Sequence, residues 1–351
     1  MTKTVAKTAQ DIRTLRALHP QMRERDFARI HSIAEAQLVA AEVGRTAIRI
    51  SSDVGAVLNG LTGVGEVMAL TRNESAVHEK IGPYEGVSIN KHASIVLGDQ
   101  IDLRIFPSRW VHGFALEKTA EDGSVKRSLQ FFDRAGNAVH KVHARPATDI
   151  EAWTALVASL RLDEQFDTLE VTPYEKSAPT EAPASIEALR DAWSAMTDTH
   201  QFFGLLKKLN FERLHALETV GADYAWQLDH TAVEAMFGKV AGTDLPIMVF
   251  AGNEGCIQIH SGPITNVSPM GPWLNVMDET FHLHLRLDHI AAAWAVRKPT
   301  KDGHVTSVEL YDENRELIIQ FFGKRHEGQD ERSEWRSVVE QLPLFSTSNA
   351  A

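Results

Sequence analysis

Apolar positions along this chain follow helical spacing, then strand spacing, then helical spacing again, and they do so twice. Ile12, Leu15 and Leu18 open the first series, and Ile186, Leu189, Trp193 and Met196 open the second. Between these stripes and the next helical ones the period falls to two, as in Val125-Lys126-Arg127-Ser128-Leu129-Gln130-Phe131. Asp122-Gly123 and Asp302-Gly303 lie beside alternating runs and predict hairpin turns, and Asn59-Gly60 predicts a further one. Helical spacing resumes around Trp153 and again at Trp335, Val338, Val339 and Leu342. Each half is therefore expected to be a helical lead, a mostly antiparallel sheet and a closing helix, which makes the fold α+β and duplicated.

The duplication is visible residue by residue. Val67-Met68-Ala69-Leu70-Thr71-Arg72-Asn73-Glu74 matches Ile247-Met248-Val249-Phe250-Ala251-Gly252-Asn253-Glu254 at an offset of 180, and Gly82-Pro83 matches Gly262-Pro263 at the same offset. The strand Asp102 to Phe106 falls on His282 to Arg286, and Trp153 to Leu160 aligns with Trp335 to Leu342 after a small drift. Upstream, Arg25 to Ala41 pairs with Gln201 to Leu217 at an offset of 176, which sets Glu24 on His200, Phe27 on Phe203 and Ala28 on Gly204. Residues 164–185 carry Pro173, Pro179 and Pro183 among Ser, Thr and Glu, a linker composition. The expected organisation is a first repeat over 1–163, a linker over 164–185, a second repeat over 186–345 and a frayed tail.

In a duplicated unit the core needs only shape, whereas a ligand site needs particular chemistry, so polar differences between the copies mark function. The clearest lies at Met196-Thr197-Asp198-Thr199-His200-Gln201-Phe202-Phe203-Gly204-Leu205-Leu206. Thr197, Asp198 or Thr199 can cap a helix whose core stripe is Phe202, Leu205, Leu206 and Leu209. His200 lies off that stripe, on a face shared with Phe203 and Gly204, where a flat ligand can approach the backbone. Taken alone, the pattern equally suits an ordinary first-turn histidine. With Glu24 as its counterpart, one ligand site per chain is expected rather than two.

On the strand Asp102-Leu103-Arg104-Ile105-Phe106, Asp102, Arg104 and Phe106 share one face, an arrangement suited to a flat anionic ligand or to a solvated edge with a snorkelling arginine. The second copy shows His282, His284 and Arg286 there. His-x-His with Asp288 or His289 resembles a cupin metal set, but the glycine and glutamate spacing of such sites is missing, so histidines facing solvent or a cavity are expected.

Charge and composition then narrow the field. A net charge of −11 and a pI near 5.8 disfavour nucleic acid and anionic membranes as partners. A single cysteine, Cys256, excludes an intrachain disulfide, argues against a thiolate zinc site, and is expected as a buried inert thiol in a strand. No Cys-x-x-Cys-His is present, so any haem is held non-covalently. Gly60-x-x-Gly63-x-Gly65 lacks the order and the lysine of a phosphate loop, and His78-Glu79 and His326-Glu327 lack a second histidine. The N-terminus does not read as a signal peptide and no run reaches membrane-spanning length, so stable membrane insertion is not expected and the cytoplasm is the expected compartment.

Taken together, the duplication, Trp193 followed by Met-Thr-Asp-Thr-His-Gln-Phe-Phe, Asp-Leu-Arg-Ile-Phe at 102 to 106, and Gln-Phe-Phe-Gly at 320 to 323 resemble the cytoplasmic haemin-degrading and haem-trafficking proteins of bacterial haem uptake, the HemS/HmuS family. The likeness spans nearly the whole chain. It implies a large antiparallel sheet flanked by helices in each half, a haem cleft between the halves, and His200 on the iron. It further implies Arg104 on the distal side, acting through a water or hydroxide and thus in catalysis, with Phe106 packed on the porphyrin. Phe250, Gln320, Phe322 and Arg325 are the second half's implied share, with Arg325 and, after it, Lys207 suited to pair with propionates. Phe322 stands where relatives can carry tyrosine, which removes a phenol donor. The activity implied is oxidative haem breakdown that releases iron with an external electron donor; the alternative is a non-enzymatic chaperone passing haem to a haem oxygenase. An inner-membrane haem importer is the other implied partner.

Overall fold

The structure, a computed structural model, describes residues 7–174, 182–325 and 330–346. The middle of the expected linker (175–181), the pair His326-Glu327 and the tail beyond 346 lie outside the described residues. The first half runs α1 (Ala9–Leu18), α2 (Glu24–Ile30), α3 (Glu35–Ala40), β1 (Ala47–Ile50), α4 (Val54–Leu61), β2 (Gly65–Arg72), β3 (Ala76–Gly82), β4 (Ser94–Leu97), β5 (Asp102–Ile105), β6 (His112–Thr119), β7 (Val125–Phe132), β8 (Ala138–Thr148) and α5 (Ile150–Leu160). The second runs α6 (Ile186–Ser194), α7 (Gln201–Leu209), α8 (Arg213–Val220), β9 (Ala225–Leu228), α9 (Ala232–Val240), β10 (Ile247–Gly252), β11 (Cys256–Gly262), β12 (Val267–Met270), β13 (Trp273–Met277), β14 (Phe281–Arg286), β15 (Ala292–Thr300), β16 (Gly303–Tyr311), β17 (Leu317–Gly323) and α10 (Ser333–Glu340).

Two compact units result. The first comprises Met1–Arg72, Glu79–Glu175 and Gly252–Gln258; the second comprises Asn73–His78, Lys176–Ala251 and Ile259–Ala351. Each thus includes a short turn from the other half of the sequence, and each turn is pinned by an asparagine of the repeat. In the first unit Asn253 Nδ2 donates to the carbonyls of Arg72 and Val139 (2.8 and 2.9 Å) while its Oδ1 accepts from the amides of Gly255 and Cys256. In the second, Asn73 donates to the Ile318 carbonyl (2.8 Å) and accepts from Ser75 and Ala76. These bonds satisfy backbone groups that a turn would otherwise leave open.

The main ladder of the first unit is antiparallel throughout, in the order β1-β6-β7-β8-β2. The second unit repeats it as β9-β15-β16-β17-β10. One face of each ladder buries its apolar alternation against two helices. Val57, Leu58 and Leu61 of α4 with Trp153 and Leu156 of α5 pack on Val67, Leu129 and Val142; Val233, Met236 and Phe237 of α9 with Trp335 and Val339 of α10 pack on Val249, Val308 and Phe321. The α+β duplication expected from the sequence is the observed architecture, and both Asp-Gly hairpins form, with Gly123 and Gly303 at φ +80° and +126°.

Asn59-Gly60 forms no hairpin. Both residues lie inside α4, whose Val54, Val57, Leu58 and Leu61 are buried at helical spacing. Gly60 is there for packing: a Cβ at this position would lie 2.1 Å from Leu156 Cδ1, so only glycine lets α5 approach so closely. The upstream register also shifts. Phe27 is fully buried, but the buried aromatic of α7 is Phe202, while Phe203 is 76 % exposed. Matching the core residues therefore sets Arg25, rather than Glu24, opposite His200.

Candidate functional site

The turn that leads into α7 is organised by Asp198. Its Oδ1 accepts the backbone amide of His200 (2.8 Å) and also the His200 Nδ1 proton (2.7 Å), and the Asp198 carbonyl accepts the amide of Gln201. The side chain of Gln201 reaches back to the amide of Thr197 at 2.9 Å. The two hydrogen bonds from His200 hold the Asp198 carboxyl below its ordinary value, so it is an ionised acceptor. An ionised carboxylate can only accept, which fixes the proton on Nδ1 and leaves the Nε2 lone pair free. Metal-binding histidines are oriented in this way. Among the described residues Nε2 has no hydrogen-bond partner, and the His200 side chain is 92 % exposed.

The face beside it is flat and open. Phe203 is exposed, and nothing lies within 4 Å of where a Cβ on Gly204 would be. Phe202 and Leu206 turn the opposite way into the core with Trp193 and Met196, while Leu205 and Leu209 are half-buried against it. The stripe read from the sequence thus holds, but none of Thr197, Asp198 and Thr199 caps α7: the N-cap is His200 itself, with no side-chain cap, and Asp198 binds the His200 amide in the turn before the helix.

Behind α7 lies the second face of the β10-β17-β16-β15 ladder. Cross-strand partners share a face, so Phe250, Gln320 and Glu309 form one row and Met248, Phe322 and Ser307 the next. Helices α6 to α8 cover the β15 side, packing Trp193, Phe202 and Leu217 with Trp294, Val296 and Tyr311. On β10 and β17 the residues Met248, Phe250, Gln320 and Phe322 stay half-buried. The rings of Phe250 and Phe322 meet edge to face at 5.0 Å. Arg325, two residues past β17, exerts a favourable charge interaction on Asp198. The second unit thus brings Phe250, Gln320 and Phe322 onto one face of its ladder, and Arg325 near enough to act on the Asp198 that binds His200.

Sequence reasoning missed the charged cluster at its base. The carboxylate of Glu309, fully buried, accepts from Arg213 Nε and Nη2 (both 2.8 Å), Lys298 Nζ (2.7 Å), Ser307 Oγ (3.0 Å), Tyr311 OH (2.7 Å) and Gln320 Nε2 (2.9 Å). Burial pushes the carboxyl up, but Arg213 and Lys298 outweigh burial and hold it well below the usual range. Burial lowers Lys298 to about 8, with Glu309 opposing. The Lys298 ammonium lies over the rings of Phe202 (4.6 Å) and Phe322 (5.9 Å). A glutamate in an alternating apolar strand was the available signal.

In the first unit, β5 alternates as expected, with Leu103 and Ile105 fully buried and Asp102 and Arg104 half-buried on the other face. Arg104 Nη1 donates to Asp102 Oδ1 and to the Leu103 carbonyl. Burial nevertheless raises the Asp102 carboxyl above its ordinary value, against the pull of Arg104. Phe106 follows the strand, its amide bound to the Gly255 carbonyl at 3.0 Å.

The first unit's version of the second unit's surface differs in kind. Ladder register sets Leu70 at the position of Phe250, Lys141 at Gln320, His143 at Phe322 and Gln130 at Glu309. Glu24 is bound by Lys118 at 2.8 Å, and Arg25 and Lys141 both reach Glu35. The counterpart helix therefore carries paired charges instead of a free imidazole. Cys256 is buried and pushed up to about 12, the inert thiol expected. His284 is tied to Asn275 Oδ1 at 2.6 Å, and no group of three or more metal-ligating side chains occurs among the described residues.

Comparison with known proteins agrees with this duplication. The family model for the haemin-degrading HemS/ChuX domain matches twice, over residues 32–160 and 210–342. The hemin transport protein HmuS of Yersinia pestis is 41 % identical over 328 residues, covering 93 % of this chain and 94 % of that protein. The crystal structure of holo-PhuS, a heme-binding protein from Pseudomonas aeruginosa, superposes with a TM-score of 0.92 at 42 % identity, covering 96 % of this chain and 98 % of that one. The heme degrading enzyme ChuS of Escherichia coli O157:H7 gives 0.89 at 36 % identity, covering 96 % and 100 %.

Proposed function

The chain belongs to the haemin-degrading HemS/ChuX domain family, and from that premise we propose that it binds one haem, non-covalently, with His200 Nε2 on the iron. The observation that carries this reading is the Asp198–His200 pair: an ionised carboxylate fixes Nδ1 as donor, and Nε2 is left exposed, with no partner among the described residues, beside the open face at Phe203 and Gly204. A neutral imidazole so held is a standard haem ligand. Phe250 and Phe322 supply apolar packing for a porphyrin, and Gln320 and Arg325 supply donors for its carboxylates.

Haem is substrate here. The reaction we assign is oxidative opening of its ring by dioxygen, activated with electrons from an external donor, which frees the iron; the protein's own part is to bind, orient and shield. Arg104 and Phe106 keep the roles implied by the family resemblance, the guanidinium as a permanent positive charge at the reacting side and the ring as porphyrin packing. Related proteins are described as a heme degrading enzyme and as a hemin transport protein, so delivery of intact haem to a haem oxygenase is the second reading. Among the described residues no helix is long and apolar enough to cross a membrane, which accords with a cytoplasmic site of action downstream of a haem importer.

Absorbance titration with haemin tests the binding. The expected result is saturation at one haem per chain and loss of the ferric low-spin spectrum in His200→Ala; an unaltered spectrum removes the ligand assignment. Single turnover with reductant and catalase separates the two activities. Soret loss with CO or a defined tetrapyrrole marks the enzyme, whereas persistent haem with fast transfer marks the carrier. Arg104→Ala should alter the pH-dependent water-to-hydroxide transition of the complex, and an unchanged titration removes Arg104 from the reacting side.

A further inference from the structure

We infer that the second unit carries a docking cleft for a basic peptide, an extended segment of a partner protein that presents a lysine or arginine side chain. The cleft is a cavity of about 460 Å³ formed by the turns before β3, after β14 and between β16 and β17, with Glu74, Ser75, Asp288, His289, Asp312 and Glu313 in its walls. A second cavity of about 280 Å³ shares Glu74, Ser75 and Asp312 with it and continues to Leu317. The space therefore suits several residues of extended chain rather than one ion.

The first unit has an occupied copy of this cleft. Its three matching turns keep the same backbone hydrogen bonds: Phe106 to Gly255 as Arg286 to Ser75, Val111 to Phe132 as Ala291 to Tyr311, and Asp133 to Asn137 as Asp312 to Glu316. Residues 171–174 lie against these turns. The Thr172 amide donates to the Arg134 carbonyl (2.7 Å), and the Tyr174 ring is covered by the guanidinium groups of Arg109 (4.9 Å) and Arg134 (4.3 Å). A Cβ on Gly136, in the same turn, would come within 2.9 Å of Val171 Cγ1, so the segment is pressed onto the turn. In the second unit Glu313 takes the place of Arg134, and its carbonyl the place of the one that holds Thr172.

Charge decides which peptide the second copy takes. Around Tyr174, Arg109 and Arg134 stand against Glu254 and Asp133, and a neutral ring is held. In the second unit His289 replaces Arg109, Glu313 replaces Arg134 and Asp288 replaces Ser108. Of the four carboxylates in its walls, Asp288 is met by Arg286 (2.6 and 2.7 Å), while Arg315 is turned to Glu212 and Glu218. The walls stay negative whether or not His289 is protonated, which selects a cation on the peptide. Nothing in this depends on haem.

The probes are two blocked tetrapeptides built on the first unit's segment, acetyl-Val-Thr-Pro-Arg-amide and acetyl-Val-Thr-Pro-Glu-amide. Each is titrated into the full chain at fixed ionic strength and followed by the protein's amide NMR shifts. Saturable binding of the arginine peptide alone is expected. Glu313→Arg, which installs the first unit's charge, should weaken it by roughly 10-fold or more. Glu313 is exposed, and should that variant melt below wild type, Glu313→Gln gives the reading, with a smaller loss expected. No saturation in wild type, equal binding of the two peptides, or unchanged affinity in the variants overturns the inference. Arginine amide or magnesium chloride saturating the same shifts as tightly as the peptide also overturns it, the first marking a small-molecule site and the second a metal site. Dimerisation that competes with the peptide would make a second copy the occupant and overturns the partner.

Discussion

The two repeats share one scaffold and differ in what each does with the second face of its ladder. The first closes that face with charges: Lys118 holds Glu24, Arg25 and Lys141 hold Glu35, and His143 and Gln130 lie among them. The second leaves it partly open, with Phe250, Gln320 and Phe322 half-buried, and His200 presents a nitrogen that has no partner among the described residues. A copied unit keeps its core because packing tolerates little change. Its polar face carries no such constraint, so one copy can become structural while the other binds.

The harshest way to break this comparison is at the imidazole. His200→Ala should cost haem affinity more than ~100-fold, beyond what loss of an orienting partner costs, and should leave no binding at the first repeat. Residual 1:1 low-spin haem in that variant would show that the copies are functionally alike. Asp198→Asn comes next. The amide cannot serve as a charged acceptor for Nδ1, and affinity should fall by ~10–100-fold with little change in melting temperature, because both side chains are exposed. Full affinity in Asp198→Asn would make the hydrogen bond a mere turn contact.

Acid separates the repeats by stability. His140 is buried in the first unit between Thr71 Oγ1 (2.8 Å) and Tyr84 OH (2.6 Å), and desolvation lowers it to about 3; desolvation, then Lys141, lowers His143 to about 4. Below pH ~6.5 the unfolded chain takes up protons that these folded histidines refuse. Stability should therefore fall from about pH 6.5 down to about 3–4, by at most ~1.4 kcal/mol per pH unit for each group. The corresponding positions in the second unit, Ile319 and Phe322, do not titrate. Urea unfolding against pH should show a shallower acid limb in His143→Phe than in wild type, and coincident limbs would remove His143 from this account.

The smallest effect is at Gly204. With open space around it, Gly204→Ala should stabilise α7 by about 0.8–1 kcal/mol in thermal unfolding. The same methyl group crowds the proposed ligand face, so haem affinity should decrease; tighter binding would argue that the face at Phe203 and Gly204 is not where the porphyrin lies.

Much of this was legible beforehand for local reasons. The strand faces at Leu103 and Ile105 and at Phe281, Leu283 and Leu285 follow from period-two alternation alone, and both hairpins follow from Asp-Gly. The Asn59-Gly60 reading failed because turn preference is a weak local term that packing of α4 on α5 overrides. The 176-residue register keeps Leu38 on Leu214 but slips by one at Phe27 and Phe202, because the matched helices α2 and α7 are of unequal length, 7 and 9 residues. The capping reading at Thr197, Asp198 or Thr199 failed, since His200 is the N-cap, and Asp-x-His was the hint that Asp198 orients the ring.

By itself, the sequence determined the duplicated α+β scaffold, the faces of its strands and the single imidazole that one copy has and the other lacks, since periodicity and repeat spacing are written along the chain. Tertiary structure alone decided how that imidazole is held and what stands behind it. Arg213 and Glu309 are 96 residues apart, and Lys298 reaches the same carboxylate from another strand. Such convergence is set by how the ladder is roofed by α6 to α8, because a charge buried by distant elements must find partners wherever packing brings them.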